Sequence, residues 1–135
     1  LLMAIVLHRR YATSRLQVAR HQIDDLSFSS TLADIRATYP KPRKQWNDYN
    51  TLKKELGTPL HDWLSQLETH QLSNRENVFC VLMLIYPHAS LEDLAEWLHY
   101  SATGVSTFKR RIAQKIGIST RELHKFLQDL RQVPK

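Results

Sequence analysis

The stretch 101-SATGVSTFKRRIAQKIGI-118 reads as one helix with two faces, and that reading decides the fold. Val105, Phe108, Ile112 and Ile116 recur at helical spacing and are expected to face a core. Lys109, Arg110 and Arg111 are expected to turn mostly outward beside Ser106 and Thr107. A short basic helix carrying small hydroxyl side chains suits the DNA major groove.

The neighbouring segments also carry helix signals. Ser73-Asn74-Arg75-Glu76 has the spacing of a capping box, in which the Ser and Glu side chains each satisfy a free backbone N–H. It precedes an apolar run, residues 78–85, whose helix is apolar nearly all round and therefore expected to be central. Pro87 ends that run. Ser90-Leu91-Glu92-Asp93 then starts a helix with acidic residues at its positive end, and Leu91, Leu94, Ala95 and Leu98 keep one face. About three residues around His99 and Tyr100 separate this helix from the basic one capped by Ser101, which is helix-turn-helix spacing. Ser119-Thr120-Arg121-Glu122 reads as a further capping box opening a last helix, with Leu123, Phe126, Leu127 and Leu130 along one side.

Upstream, Trp46, Tyr49, Leu52, Lys53 and Leu56 form one amphipathic segment ending at Gly57. Thr58-Pro59 is expected to open the next, as N-cap and first helical residue, with Leu60, Trp63, Leu64 and Leu67 inward. Residues 27–45 read as a connector: Ser27-Phe28-Ser29-Ser30-Thr31 interrupts the helical pattern, and Tyr39-Pro40-Lys41-Pro42 closes a short helical possibility at 32–37. Ala12, Leu16, Ala19, Ile23 and Leu26 make a seam of little more than two heptads. Residues 1–7 are apolar and are followed by His8-Arg9-Arg10, as at the cytoplasmic end of a transmembrane helix. The expected architecture is all-α. It comprises the end of a transmembrane segment (1–10), a helical linker and Pro-rich connector (11–45), a helix pair packing on the C-terminal domain (46–71), and a four-helix domain with helix-turn-helix spacing (72–135).

Charge placement narrows the function. The chain of 135 residues has 19 Lys and Arg against 13 Asp and Glu, a formal net charge of +6. Residues 99–135 hold eight of those cations against Glu122 and Asp129, so the whole excess lies in the last quarter. A concentrated excess fits a polyanion-binding face. The single Cys80 excludes a disulfide framework and sits in an apolar run, where a thiol acts as a small hydrophobe. Seven scattered histidines without a His-x-x-x-His pair, and only three glycines, give no metal site, no phosphate loop and no cofactor. His61-Asp62 lacks a nucleophile at any telling spacing, so no catalytic residue is assigned and an enzyme is not expected.

Residues 72–130 resemble the LuxR/GerE-type helix-turn-helix domain of bacterial transcription regulators. Leu72-Ser73-x-Arg75-Glu76 is similar to that family's opening "L-T/S-x-R-E", and Asp93-Leu94-Ala95 with Leu98 to its "E-I-A-x-x-L" helix. Ser101-x-x-Gly104-Val105, then Ile112, Lys115-Ile116-x-Ile118 and Arg121-Glu122-Leu123 follow in the family's order and spacing. Three positions depart from it: Gly104 stands where Thr or Ser is usual, Ser106 where Lys is frequent, and Phe108, expected to pack in the core, where His is frequent. The whole chain is similar to the cytoplasmic end of membrane-anchored regulators of Bacteroidetes type, whose sensor is often a tetratricopeptide domain.

The resemblance implies sequence-specific binding to double-stranded DNA at the cytoplasmic face of the inner membrane, with residues 102–116 as recognition helix. Geometry and resemblance together give Ser106, Thr107 and Arg110 the base contacts, Arg110 being the one able to bond guanine bidentately. Ser101, Thr103, Lys109, Arg111 and Lys115 are expected to bond or neutralise phosphates. The last helix of the family joins two copies, so a homodimer is expected through one or two of Leu123, Phe126, Leu127 and Leu130, most of the four packing instead on the run at 78–85. Two alternatives stay open: a sigma-factor region-4-like module binding a promoter with RNA polymerase, and a degenerate helix-turn-helix serving protein interaction.

Overall fold

The computed structural model describes residues 27–130, and every regular element among them is a helix. The chain divides into two compact units, residues 1–38 and 39–135. The expectations for the apolar run at 1–7, its arginines and the seam at 12–26 lie outside the described residues. No helix among the described residues is long and apolar enough to cross a membrane.

In the first unit, a helix, α1, covers 27–38. The expected interruption at residues 27–31 is therefore corrected. Hydroxyl residues leave helices when they bond the backbone in non-helical ways. Here Thr31 donates to the Ser27 carbonyl at 2.9 Å and Thr38 to that of Asp34 at 3.0 Å, four residues back along the helix itself. The helix stops just before Tyr39-Pro40, where proline disfavours α backbone in the residue preceding it.

The second unit begins with a 3-10 turn at Lys44–Asn47 and continues through α2 (Tyr49–Leu56) and α3 (His61–Glu68). The segment expected to run unbroken from Trp46 to Leu56 is split by Asp48. Its backbone is extended, and its carboxylate caps α2 by accepting the Thr51 N–H at 3.3 Å. The start of α3 also moves: Leu60 occupies the cap position, with no side-chain cap, in place of Thr58. Leu60 is buried and its N–H bonds the Leu56 carbonyl at 3.1 Å, so the chain turns without needing the threonine.

Four more helices follow: α4 (Asn74–Ile85), α5 (Leu91–Leu98), α6 (Ala102–Ile116) and α7 (Leu123–Asp129). Residues 76–85 of α4 are all buried, as an all-round apolar helix requires. Around α4 lie α2 and α7, while α5 packs chiefly on α6. Trp46 and Trp63 are fully buried and have polar anchors. The Trp46 indole donates to Glu55, and the Trp63 indole donates to the Leu127 carbonyl at 2.6 Å, tying α3 to α7. Burial pushes the Cys80 thiol up, with the Glu76 carboxylate adding to it, and leaves the group inert.

Candidate nucleic-acid interface

The turn between α5 and α6 is set by local backbone chemistry. The Ser90 hydroxyl accepts the Asp93 N–H at 3.0 Å and the Asp93 carboxylate accepts the Ser90 N–H at 3.2 Å, a complete capping box that fixes where α5 begins. Its end is fixed by His99, which is left-handed at φ 60°. The Tyr100 N–H reaches back to the Ala95 carbonyl at 2.9 Å, closing the last turn. Ser101 then caps α6 by accepting the Gly104 N–H at 3.0 Å. Two helices joined through one left-handed residue and one cap leave little freedom in the turn.

An aromatic file sets how α6 lies against α4. The Phe108 ring meets Phe79 of α4 edge-on at 5.4 Å and the Tyr100 ring at 5.5 Å. Of the expected inward face, Val105 and Ile112 are buried and Phe108 and Ile116 half-buried, and Ala113 is buried beside them. Gly104 lies in the first turn, where an added Cβ would come within 3.2 Å of the Ser101 hydroxyl that caps the helix. A glycine there leaves the cap uncrowded.

The outward face of α6 is polar, cationic and without any acidic residue. Thr103, Thr107, Arg110 and Gln114, spaced four, three and four apart, line one stripe along it. Thr103, Arg110 and Gln114 are exposed and Thr107 half-buried, its hydroxyl donating to the Thr103 carbonyl at 3.1 Å. Ser106 lies half-buried on one flank and Arg111 exposed on the other. Gln114 was not among the expected contacts. Its signal was in the sequence, as the residue that continues the Thr107 and Arg110 spacing for one more turn.

Three expected contacts are placed differently. Lys109 does not turn outward with Arg110: it is half-buried. Burial, then the charges of Lys109 and His88, hold the His124 ring below its usual range. The Lys115 ammonium is engaged within the chain, 2.6 Å from the Glu76 carboxylate. Ser101 uses its hydroxyl oxygen on the Gly104 N–H, leaving only its O–H to donate outward.

Glu76 explains the second of these. Its side chain is 4 % exposed at the first turn of α4, against 49 % for that of Lys115. Burial alone would raise its carboxyl. The Lys115 ammonium and the N–H and hydroxyl of Ser73 outweigh burial and hold it below the ordinary carboxylate range. Ser73, Glu76, Phe108, Arg111, Gln114 and Lys115 together line a shallow depression beside α6.

The last helix differs from expectation at its start, while most of its apolar side is packed inward as expected. Thr120–Glu122 is a 3-10 turn without a side-chain cap, in place of a capping box. Leu123, Leu127 and Leu130 are fully buried in the chain's own core, so they present nothing to a second copy. Phe126 is half-exposed and meets the His70 ring edge-on at 5.4 Å. Among the described residues, no group of three or more His, Cys, Asp or Glu is arranged to hold a metal ion.

No protein-family model, curated protein or solved structure matches this chain.

Proposed function

We propose that the protein is a DNA-binding module of the LuxR-like helix-turn-helix kind, reading duplex DNA with α6 in the major groove. The observation that carries this reading is the polar stripe of Thr103, Thr107, Arg110 and Gln114 on a helix without acidic residues, presented by a capped turn from α5. In this reading Arg110 and Thr107 contact bases, with Ser106 beside them, and Gln114 is added as a side chain able to bond adenine. Ser101, Thr103 and Arg111 serve phosphates, Lys109 and Lys115 only partly so, because Lys109 is half-buried and Lys115 is paired with Glu76. The protein acts as a regulator rather than an enzyme, tethered at the cytoplasmic face of a membrane through the segment at 1–10 and paired with a second copy. Of the four side chains first considered for pairing, Phe126 alone retains exposed surface.

A salt titration of binding to random duplex tests the reading. A phosphate-bound module loses affinity linearly in log salt, with a slope of about −0.9 for each phosphate neutralised. Arg110→Ala should then weaken a selected preferred sequence by about 1 to 3 kcal/mol and relax its specificity. Absence of salt-sensitive binding would leave the fold as a protein-interaction module.

A further inference from the structure

Arg75 and Tyr100 form a pair that neither the fold nor the stripe on α6 makes use of. Arg75, in the first turn of α4, is exposed and donates from Nη1 to the Tyr100 hydroxyl at 2.7 Å. Its guanidinium carbon also lies 5.2 Å from the centroid of the Tyr100 ring. Tyr100 is held in turn by Phe108, and Phe108 by Phe79, so the cation rests at the end of an aromatic file rooted in the core. Glu76, the adjacent carboxylate, is committed to Lys115 and to Ser73. Arg75 has no ion pair among the described residues.

We propose that Arg75 and Tyr100 together clamp one backbone phosphate of the DNA at the N-terminal end of α6. The inference rests on the DNA-binding reading above. An arginine has five N–H donors, and one is spent on Tyr100. The phenol accepts that bond through its oxygen, so its own O–H remains to donate. Guanidinium and phenol donors converging from one rigid pair match the oxygens of a phosphate diester. The location matches as well, since Tyr100 directly precedes the Ser101 cap and a docked recognition helix brings its N-terminal end to the bases, between the flanking backbones.

The test is the salt dependence of binding by the full chain on its preferred duplex and on random duplex, for wild type, R75A, R75K and Y100F. R75A should make the slope shallower by about 0.9 and weaken both duplexes by the same factor. R75K should keep the slope yet bind more weakly than wild type, because an ammonium lacks the planar fork. Y100F should also keep the slope while weakening both duplexes equally. If R75A binds with the wild-type slope, the clamp is overturned, even where its thermal midpoint falls, because a purely structural contact moves stability and not the slope. If R75A instead alters the ratio between preferred and random duplex, Arg75 reads bases and the clamp is likewise overturned. A wild-type chain without salt-sensitive binding defeats the DNA-binding reading itself, a result distinguishable from either.

Discussion

The Lys115 ammonium lies 2.6 Å from the carboxylate of Glu76, joining the last turn of α6 to the first turn of α4. Glu76 is also half of a capping box: its carboxylate accepts the Ser73 N–H at 2.8 Å, and its own N–H donates to the Ser73 hydroxyl at 3.3 Å. One buried carboxylate thus starts α4 and anchors α6. A cation that sequence alone assigns to phosphate has an internal partner.

Lys115→Ala should therefore destabilise the fold by about 1 to 3 kcal/mol, less than for a fully buried pair because the lysine is half in water. Urea unfolding of K115A, E76Q and the double variant measures it. Strictly additive losses would mean that the pair is not coupled.

The same carboxylate carries a pH signature. A carboxyl held below its ordinary value adds stability that is present above the unfolded value, about 4.3, and lost as pH falls through the folded one. Wild type should exceed E76Q by about 1 kcal/mol at neutral pH, and the gap should close as pH falls through the carboxylate range. A gap unchanged down to pH 3 would refute this.

His124 adds a second, separate step. Its folded value is lowered, by burial first and then by Lys109 and His88, so protonation opposes folding. Stability should begin to fall as pH drops below about 6.5, and H124Q should remove that part of the slope. Parallel curves for the two proteins would count against it.

His99 holds a left-handed backbone at φ 60° that glycine adopts more readily. His99→Gly should raise stability by about 0.5 to 1 kcal/mol, a balance between relieved strain and added unfolded-state freedom. The thermal midpoint reads it directly, and a lowered midpoint would show that the imidazole contributes more than the backbone loses.

Trp63→Phe should cost about 1 to 3 kcal/mol, since it removes a buried hydrogen bond and leaves the Leu127 carbonyl without its donor. A neutral outcome in urea unfolding would mean that another donor replaces the indole.

What the sequence made legible was mostly local. The capping box of Ser73 and Glu76, the cap at Ser101 and the central apolar α4 follow from short-range hydrogen bonding and hydrophobic period, and they stand as expected. Asp48 escaped notice because the apolar period from Trp46 to Leu56 runs through it, although its carboxylate three residues before Thr51 is a local capping signal. The hydroxyl run at 27–31 misled because a threonine such as Thr31 interrupts a helix or bonds within it according to the backbone it already has. For α6, period alone assigned the inward face, whereas Lys115 is decided by a neighbour distant in the chain, Glu76. Leu123, Leu127 and Leu130 could have served either a core or a partner on pattern alone, and only packing against α4 distinguishes them.

The bond from the Trp63 indole to the Leu127 carbonyl also orders events during synthesis. The donor leaves the ribosome before its acceptor, which follows 64 residues later. Until α7 emerges, the apolar circumference of α4 lacks one of its covers and the indole lacks its acceptor. The core of the second unit is therefore completed only once α7 follows α6 out.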